Sequence, residues 1–137
     1  MAKRVLVVED NELNLKLFCD LLRAHRFAVE PVKDGREAVA KTREFNPDLV
    51  VMDIQMPHVT GLELIREMKR DTELHTIPIM AVTAYAGRED EERIRAAGAN
   101  AYVSKPISLA RFMEEVRALV PGSTEELEEE EADDTGE

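Results

Sequence analysis

Apolar residues in this chain come in two patterns. Short unbroken runs occupy residues 5–8, 49–52, 79–82 and 101–103. Between them, apolar residues recur every three or four positions. A short run that is apolar on both faces predicts a strand covered on both sides, as in a parallel sheet. Strands are therefore expected over 4–8, 49–53, 77–82 and 101–104, with a weaker edge strand over 28–32. The intervening stretches predict helices. Leu13, Leu17 and Leu21, with Phe18 beside them, mark the expected inner face of the first, with Leu15 and Leu22 at its edge. Ala38, Val39 and Phe45 mark the second, and Leu62, Ile65 and Met68 the third. Residues 88–97 form a highly charged fourth, and Phe112, Met113, Val116 and Leu119 line the last. The punctuation agrees. Asn11 and Ser108 are placed to cap helices, Asp34/Glu37 and Thr60/Glu63 have capping-box spacing, and Gly98 suits a helix C-terminus. Asn46-Pro47 ends the second helix. Strand and helix alternate five times, which predicts an α/β fold, a doubly wound parallel sheet with right-handed crossovers.

Composition adds boundaries. The 137 residues suffice for one domain with one core. Residues 125–137 carry nine acids and no base, and removing these from the net charge of −11 leaves −2. The acidity thus belongs to a tail. A folded domain is expected over 1–121 and a disordered acidic tail over 122–137. No basic stripe suggests nucleic acid. No apolar stretch is long enough for a membrane span or a leader, and a single cysteine, Cys19, forms no internal disulfide, so a cytoplasmic protein is expected.

In such a sheet the carboxyl ends of all strands lie along one edge, where ligands bind. The first strand runs into Glu9 and Asp10, the third ends on Asp53, the fourth on Thr83, and the last precedes Lys105. Three carboxylates, a hydroxyl and an amine therefore converge, with no Gly-rich phosphate loop. Clustered carboxylates favour a hard divalent cation such as magnesium, which prefers carboxylate oxygens, waters and phosphate. A carboxylate nucleophile, a metal and a lysine suit phosphoryl transfer, which is mostly positioning and charge neutralisation.

These residues resemble the receiver domain of two-component response regulators. The likeness rests on Val7-Val8-Glu9-Asp10-Asn11, on residues 48–57 with Gly61 beyond, on Val82-Thr83-Ala84, and on Tyr102-Val103-Ser104-Lys105-Pro106. It covers residues 3–120. Within the family the runs 9–14, 16–18, 90–95 and 104–108 resemble small single-domain regulators of cell division. The resemblance implies a flavodoxin-like (βα)5 fold with strand order 2-1-3-4-5 and a cis bond at Lys105-Pro106. It implies Asp53 as phosphoacceptor and Glu9 and Asp10 as the acid pocket. Asp10, Asp53 and the Gln55 backbone carbonyl would hold Mg2+, Thr83 and Lys105 would contact the phosphoryl group, and Tyr102 would be the switch aromatic. It implies a histidine kinase or phosphotransfer protein as donor, docking near Leu15. A protein effector would bind the face of the fourth helix, fifth strand and fifth helix, with no nucleic acid or membrane partner.

Plainer readings exist for single residues. Glu9-Asp10 could cap the first helix, Thr83 alone could be structural, Lys105 alone an ordinary surface lysine, and Leu15 plain core. The three histidines have no second ligand at metal spacing. The alternative function is a magnesium-dependent phosphohydrolase with an aspartyl nucleophile. Such an enzyme would want an acid two residues after Asp53, where Gln55 stands, and an inserted cap for which the chain has no room.

Overall fold

A computed structural model describes residues 2–84 and 87–121. The expected tail and Tyr85, a neighbour of the site in sequence, lie outside the described residues. The elements are β1 (Arg4–Val8), α1 (Glu12–Ala24), β2 (Ala28–Val32), α2 (Ala38–Phe45), β3 (Leu49–Asp53), α3 (Gly61–Arg70), β4 (Ile79–Thr83), α4 (Arg88–Ala97), β5 (Ala101–Ser104) and α5 (Leu109–Leu119). The strands are all parallel, in the order 2-1-3-4-5. Strand order reverses between β1 and β3, which opens a crevice at their carboxyl ends.

The unbroken apolar runs are explained by two cores, because successive strand side chains point to opposite faces. Leu6, Val8, Val50, Met52, Ile79 and Ala81 join buried residues of α2, α3 and α4. Val5, Val7, Leu49, Val51, Met80 and Val82 join those of α1 and α5. All five residues of β3 are buried, as are all five of β4. No helix among the described residues is long and apolar enough to cross a membrane.

Local signals are met by side-chain bonds. Asn11 accepts from Asn14 N–H, Ser108 accepts from Arg111 N–H, and Thr60 and Glu63 complete a capping box. Asp34 instead caps a 3-10 turn, Gly35–Glu37, by accepting from Arg36 N–H. Gly98 takes φ 124° at the end of α4, and Asn46 takes φ 52° after α2. The Lys105-Pro106 bond is cis.

The inner face of α1 differs from expectation. Phe18, Cys19 and Leu22 are buried, and Leu15 is half-buried against them, whereas Leu13 is 80% and Leu17 44% exposed. At 100° per residue, α1 carries two opposed apolar stripes, and periodicity alone does not rank them. The choice comes from α5. The Phe18 and Phe112 rings stack with centroids 4.9 Å apart and planes 10° from parallel. Such a pair contributes about 0.5–1.5 kcal/mol beyond its burial, and it turns the Leu13/Leu17 stripe outward.

Candidate functional site

The crevice brings the expected residues together. Register pairs Val8 with Met52 and Asp53 with Val82, so the residues that follow β1 and β4 flank Asp53. Glu9, Asp10 and Asp53 each offer a carboxylate oxygen within 4.8 Å of the other two. Lys105 Nζ lies 3.7 Å from Asp53 Oδ1 and 3.8 Å from Glu9 Oε1. Thr83 is fully buried at the end of β4, and its carbonyl accepts from Lys105 N–H at 2.7 Å.

Each position follows from local structure. Glu9 N–H extends the ladder by donating to Val32 O, and Glu9 Oε2 accepts from Asn11 N–H at 3.2 Å. Asn11 then starts α1, so Glu9 and Asp10 sit in a short, pinned connection. Beyond Asp53, Ile54 N–H donates to Val82 O and Gly61 N–H donates to Ile54 O at 2.9 Å. The start of α3 therefore lies against the end of β3. A Cβ on Gly61 would stand 2.4 Å from Asp53 O. Only glycine permits this approach.

The electrostatics are those of charge held out of water. Glu9 is 1% exposed, and its Oε1 has no hydrogen-bond partner among the described residues. Burial, with the Asp53 charge and hydrogen bond, pushes the Glu9 carboxyl up to about 7. Burial also raises Asp53, opposed by the Lys105 charge, a hydrogen bond from Glu9 and the Gln55 N–H. Burial thus makes the pair reluctant to carry two charges, and at Asp53 the Lys105 ammonium opposes that rise. A buried carboxylate oxygen without a hydrogen bond, beside two more carboxylates, is the donor set a hard cation fits.

The remaining expected residues fall into place unevenly. Tyr102 is buried, in the core on the α2–α4 side, and borders a cavity of about 290 Å³ with Glu91, Ser104 and Arg111. Thr83 Oγ1 accepts from Gln55 Nε2–H at 3.1 Å. Leu15 lies behind the outward stripe of α1 and lines a groove with Glu12, Cys19, Pro31 and Lys33. Sequence reading missed three features. The Gln55 side chain bridges to β4, Leu13 and Leu17 face solvent, and an open cleft of about 350 Å³ lies beside Asp10. That cleft is bordered by Lys33, Asp34, Gly35, Pro57 and His58, from two loops far apart in sequence. Only the outward leucines had a sequence signal, the second stripe of α1.

Comparison with known proteins gives the family and the fold. Residues 5–117 match the family described as the response regulator receiver domain. The chain is 52% identical over 120 residues to the polar-differentiation response regulator DivK of Brucella ovis, covering 88% of this chain and 98% of that one. Its backbone is similar to that of chemotaxis protein CheY4 of Vibrio cholerae, with a TM-score of 0.82 at 25% identity, over 87% and 99% of the two chains. It is also similar to the receiver domain of sensor histidine kinase PA1611 from Pseudomonas aeruginosa, solved with a magnesium ion coordinated in its active-site cleft. There the TM-score is 0.80 at 30% identity, over 88% and 98% of the chains.

Proposed function

The chain belongs to the response regulator receiver domain family, and we propose that it is a single-domain switch in cell-division control that is turned on by phosphorylation of Asp53. The subtype rests on likeness to DivK across nearly the whole of that relative. The site reading is carried by one observation. Glu9, Asp10, Asp53, Thr83 and Lys105 meet at one sheet edge, and a buried Glu9 oxygen there faces Lys105 at 3.8 Å without a hydrogen bond among the described residues.

In this reading a phosphohistidine on a kinase or phosphotransfer protein meets the crevice. An Asp53 carboxylate oxygen bonds to phosphorus as the phosphorus–nitrogen bond to the donor breaks, and the departing imidazole takes up a proton. Asp10, Asp53 and the Gln55 carbonyl, with Glu9 behind them, would hold magnesium, which offsets the negative charge that nucleophile and phosphoryl group bring together. Lys105 and the Thr83 hydroxyl receive the phosphoryl oxygens. The modification adds about 1.5 to 2 negative charges. Charge-assisted hydrogen bonds are worth roughly 1.5–3 kcal/mol each, and inverting a 1:99 equilibrium takes about 5.5 kcal/mol. Two such bonds at the top of that range, or three near its middle, suffice to switch the domain. The output is a protein effector on the α4–β5–α5 face, where Tyr102 and Arg111 border the cavity described above. Nothing in the site favours the phosphohydrolase: the Gln55 amide is engaged with Thr83 and Ala84.

The test is labelling by a small phosphodonor with magnesium. Wild type is expected to take one phosphoryl group as a base-labile acyl phosphate. Asp53→Asn is expected to take none, and equal labelling of the two proteins would remove Asp53 as acceptor.

Donor docking is expected on the outward stripe of α1, centred on Leu13 and Leu17, with Leu15 on the opposed, half-buried face. Leu13→Asp should slow transfer from a phosphohistidine donor at least tenfold while leaving small-donor labelling and stability unchanged, since Leu13 is 80% exposed. Leu15→Asp should lower stability as well, because Leu15 packs against the α1–α5 core. Unchanged transfer rates for Leu13→Asp would move the docking site elsewhere.

A further inference from the structure

The backbone carbonyl of Gln55 would serve the magnesium, which leaves its side chain without a task. That side chain crosses from the β3–α3 loop to the end of β4. Nε2–H donates to Thr83 Oγ1 at 3.1 Å, and Oε1 accepts from Ala84 N–H at 3.1 Å. Gln55 N–H donates to Asp53 Oδ1 at 3.2 Å. Thr83 and Ala84 directly follow Val82, the register partner of Asp53. One amide thus engages both hydrogen-bonding groups that β4 presents next to the acid.

An oxyanion on Asp53 would seek those same two groups. The Thr83 hydroxyl and the Ala84 N–H are donors, and a phosphoryl oxygen accepts more strongly than a neutral amide oxygen. To serve it, Ala84 N–H must leave Gln55 Oε1, whereas the Thr83 hydroxyl accepts from Gln55 Nε2 through a lone pair and keeps its own proton to donate, so the tie to Gln55 limits only where that hydroxyl can move. We propose that the Gln55 side chain is a positioning residue that competes with the phosphoryl group. It holds Thr83 and Ala84 in the unphosphorylated arrangement and is displaced when Asp53 is modified. The proposal rests on Asp53 being the phosphoacceptor. It differs from a simple loop staple in the sign of its effect. Removing a staple disorders the site and weakens anion binding, whereas removing a competitor strengthens it.

The experiment measures affinity for beryllofluoride, a tetrahedral phosphoryl mimic that bonds to a carboxylate oxygen, in the presence of magnesium. Gln55→Met keeps side-chain length and the backbone carbonyl but removes both bonds. It is expected to bind about fivefold more tightly than wild type, the change that one neutral hydrogen bond of about 1 kcal/mol brings. Gln55→Glu keeps acceptors for both groups and adds a charge that repels the anion, so it is expected to bind more weakly. Equal or weaker binding by Gln55→Met overturns the proposal. Asp53→Asn is expected not to bind. Binding like wild type would instead overturn the phosphoacceptor reading, and the proposal with it. If Gln55→Met fails to fold, wild type decides by NMR. The Gln55 side-chain amide protons are expected to shift and to exchange faster on saturation with the mimic, and unchanged signals overturn the proposal.

Discussion

Gly61→Ala is expected to destabilise the domain by about 3 kcal/mol, at the upper end of what overpacking a core costs, and to slow phosphorylation of the molecules that remain folded. The added Cβ would lie 2.4 Å from Asp53 O and 2.7 Å from Ile54 Cα. Both are backbone atoms, so no rotamer change relieves the clash. At Gly98 the comparable contact is with Lys69 Cγ, part of a flexible side chain. The Thr60–Glu63 capping box and the Gly61 N–H bond to Ile54 O fix where α3 begins. Relief therefore requires α3 to retreat from β3 or the end of β3 to shift. A shift of β3 displaces Asp53 relative to Lys105, and a retreat of α3 breaks the Gly61 N–H bond to Ile54 O and drags the loop that carries Gln55 beside the acid. Urea unfolding reports the first effect and the initial rate of small-donor labelling the second. Wild-type stability in Gly61→Ala would show that α3 yields at no cost.

Glu9→Gln is expected to stabilise the metal-free protein by about 3 kcal/mol at pH 8 and by little near pH 4.5. Burial and the Asp53 carboxylate raise the Glu9 carboxyl from 4.5 to about 7. The folded state therefore holds a proton that the unfolded state releases. Stability falls as pH rises from about 4.5 to about 7, and above that the full penalty applies. Each pH unit of that window corresponds to about 1.4 kcal/mol. The raised Asp53 carboxyl acts in the same direction. Glutamine keeps an acceptor for Asn11 N–H and removes the buried charge. Urea unfolding of both proteins in a chelator, at pH 5 and pH 8, gives the difference. A gap between variant and wild type that does not widen with pH would remove the buried charge on Glu9 as its cause. In wild type, millimolar magnesium is expected to restore stability at pH 8, because a cation replaces the missing proton.

Much of this was legible in the linear chain because the relevant signals are local. Strand runs, helix caps and the turn after Asp48–Asp53 depend on neighbours within a few residues. The alternation of strand and helix brings strand ends to one edge through chain geometry alone, which is why Glu9, Asp10, Asp53, Thr83 and Lys105 could be named together. Phosphoryl transfer was already suggested by the residue types at that edge; family resemblance supplied what they do not, namely the strand order and the role of each residue.

The sequence by itself determined that an acid cluster stands at the carboxyl edge of a parallel sheet. Backbone periodicity and short connections leave few other places for it. Only the tertiary structure decided which face of α1 is inner, because two opposed leucine stripes are equivalent until Phe18 meets Phe112. It alone decided how deeply Glu9 is buried, and therefore that its carboxyl holds a proton near neutrality. It also decided where the Gln55 amide points, since Thr83 and Ala84 lie 28 and 29 residues away. Rotation, desolvation and long-range hydrogen bonding are properties of packed surfaces, and they exist only once the helices have closed on the sheet.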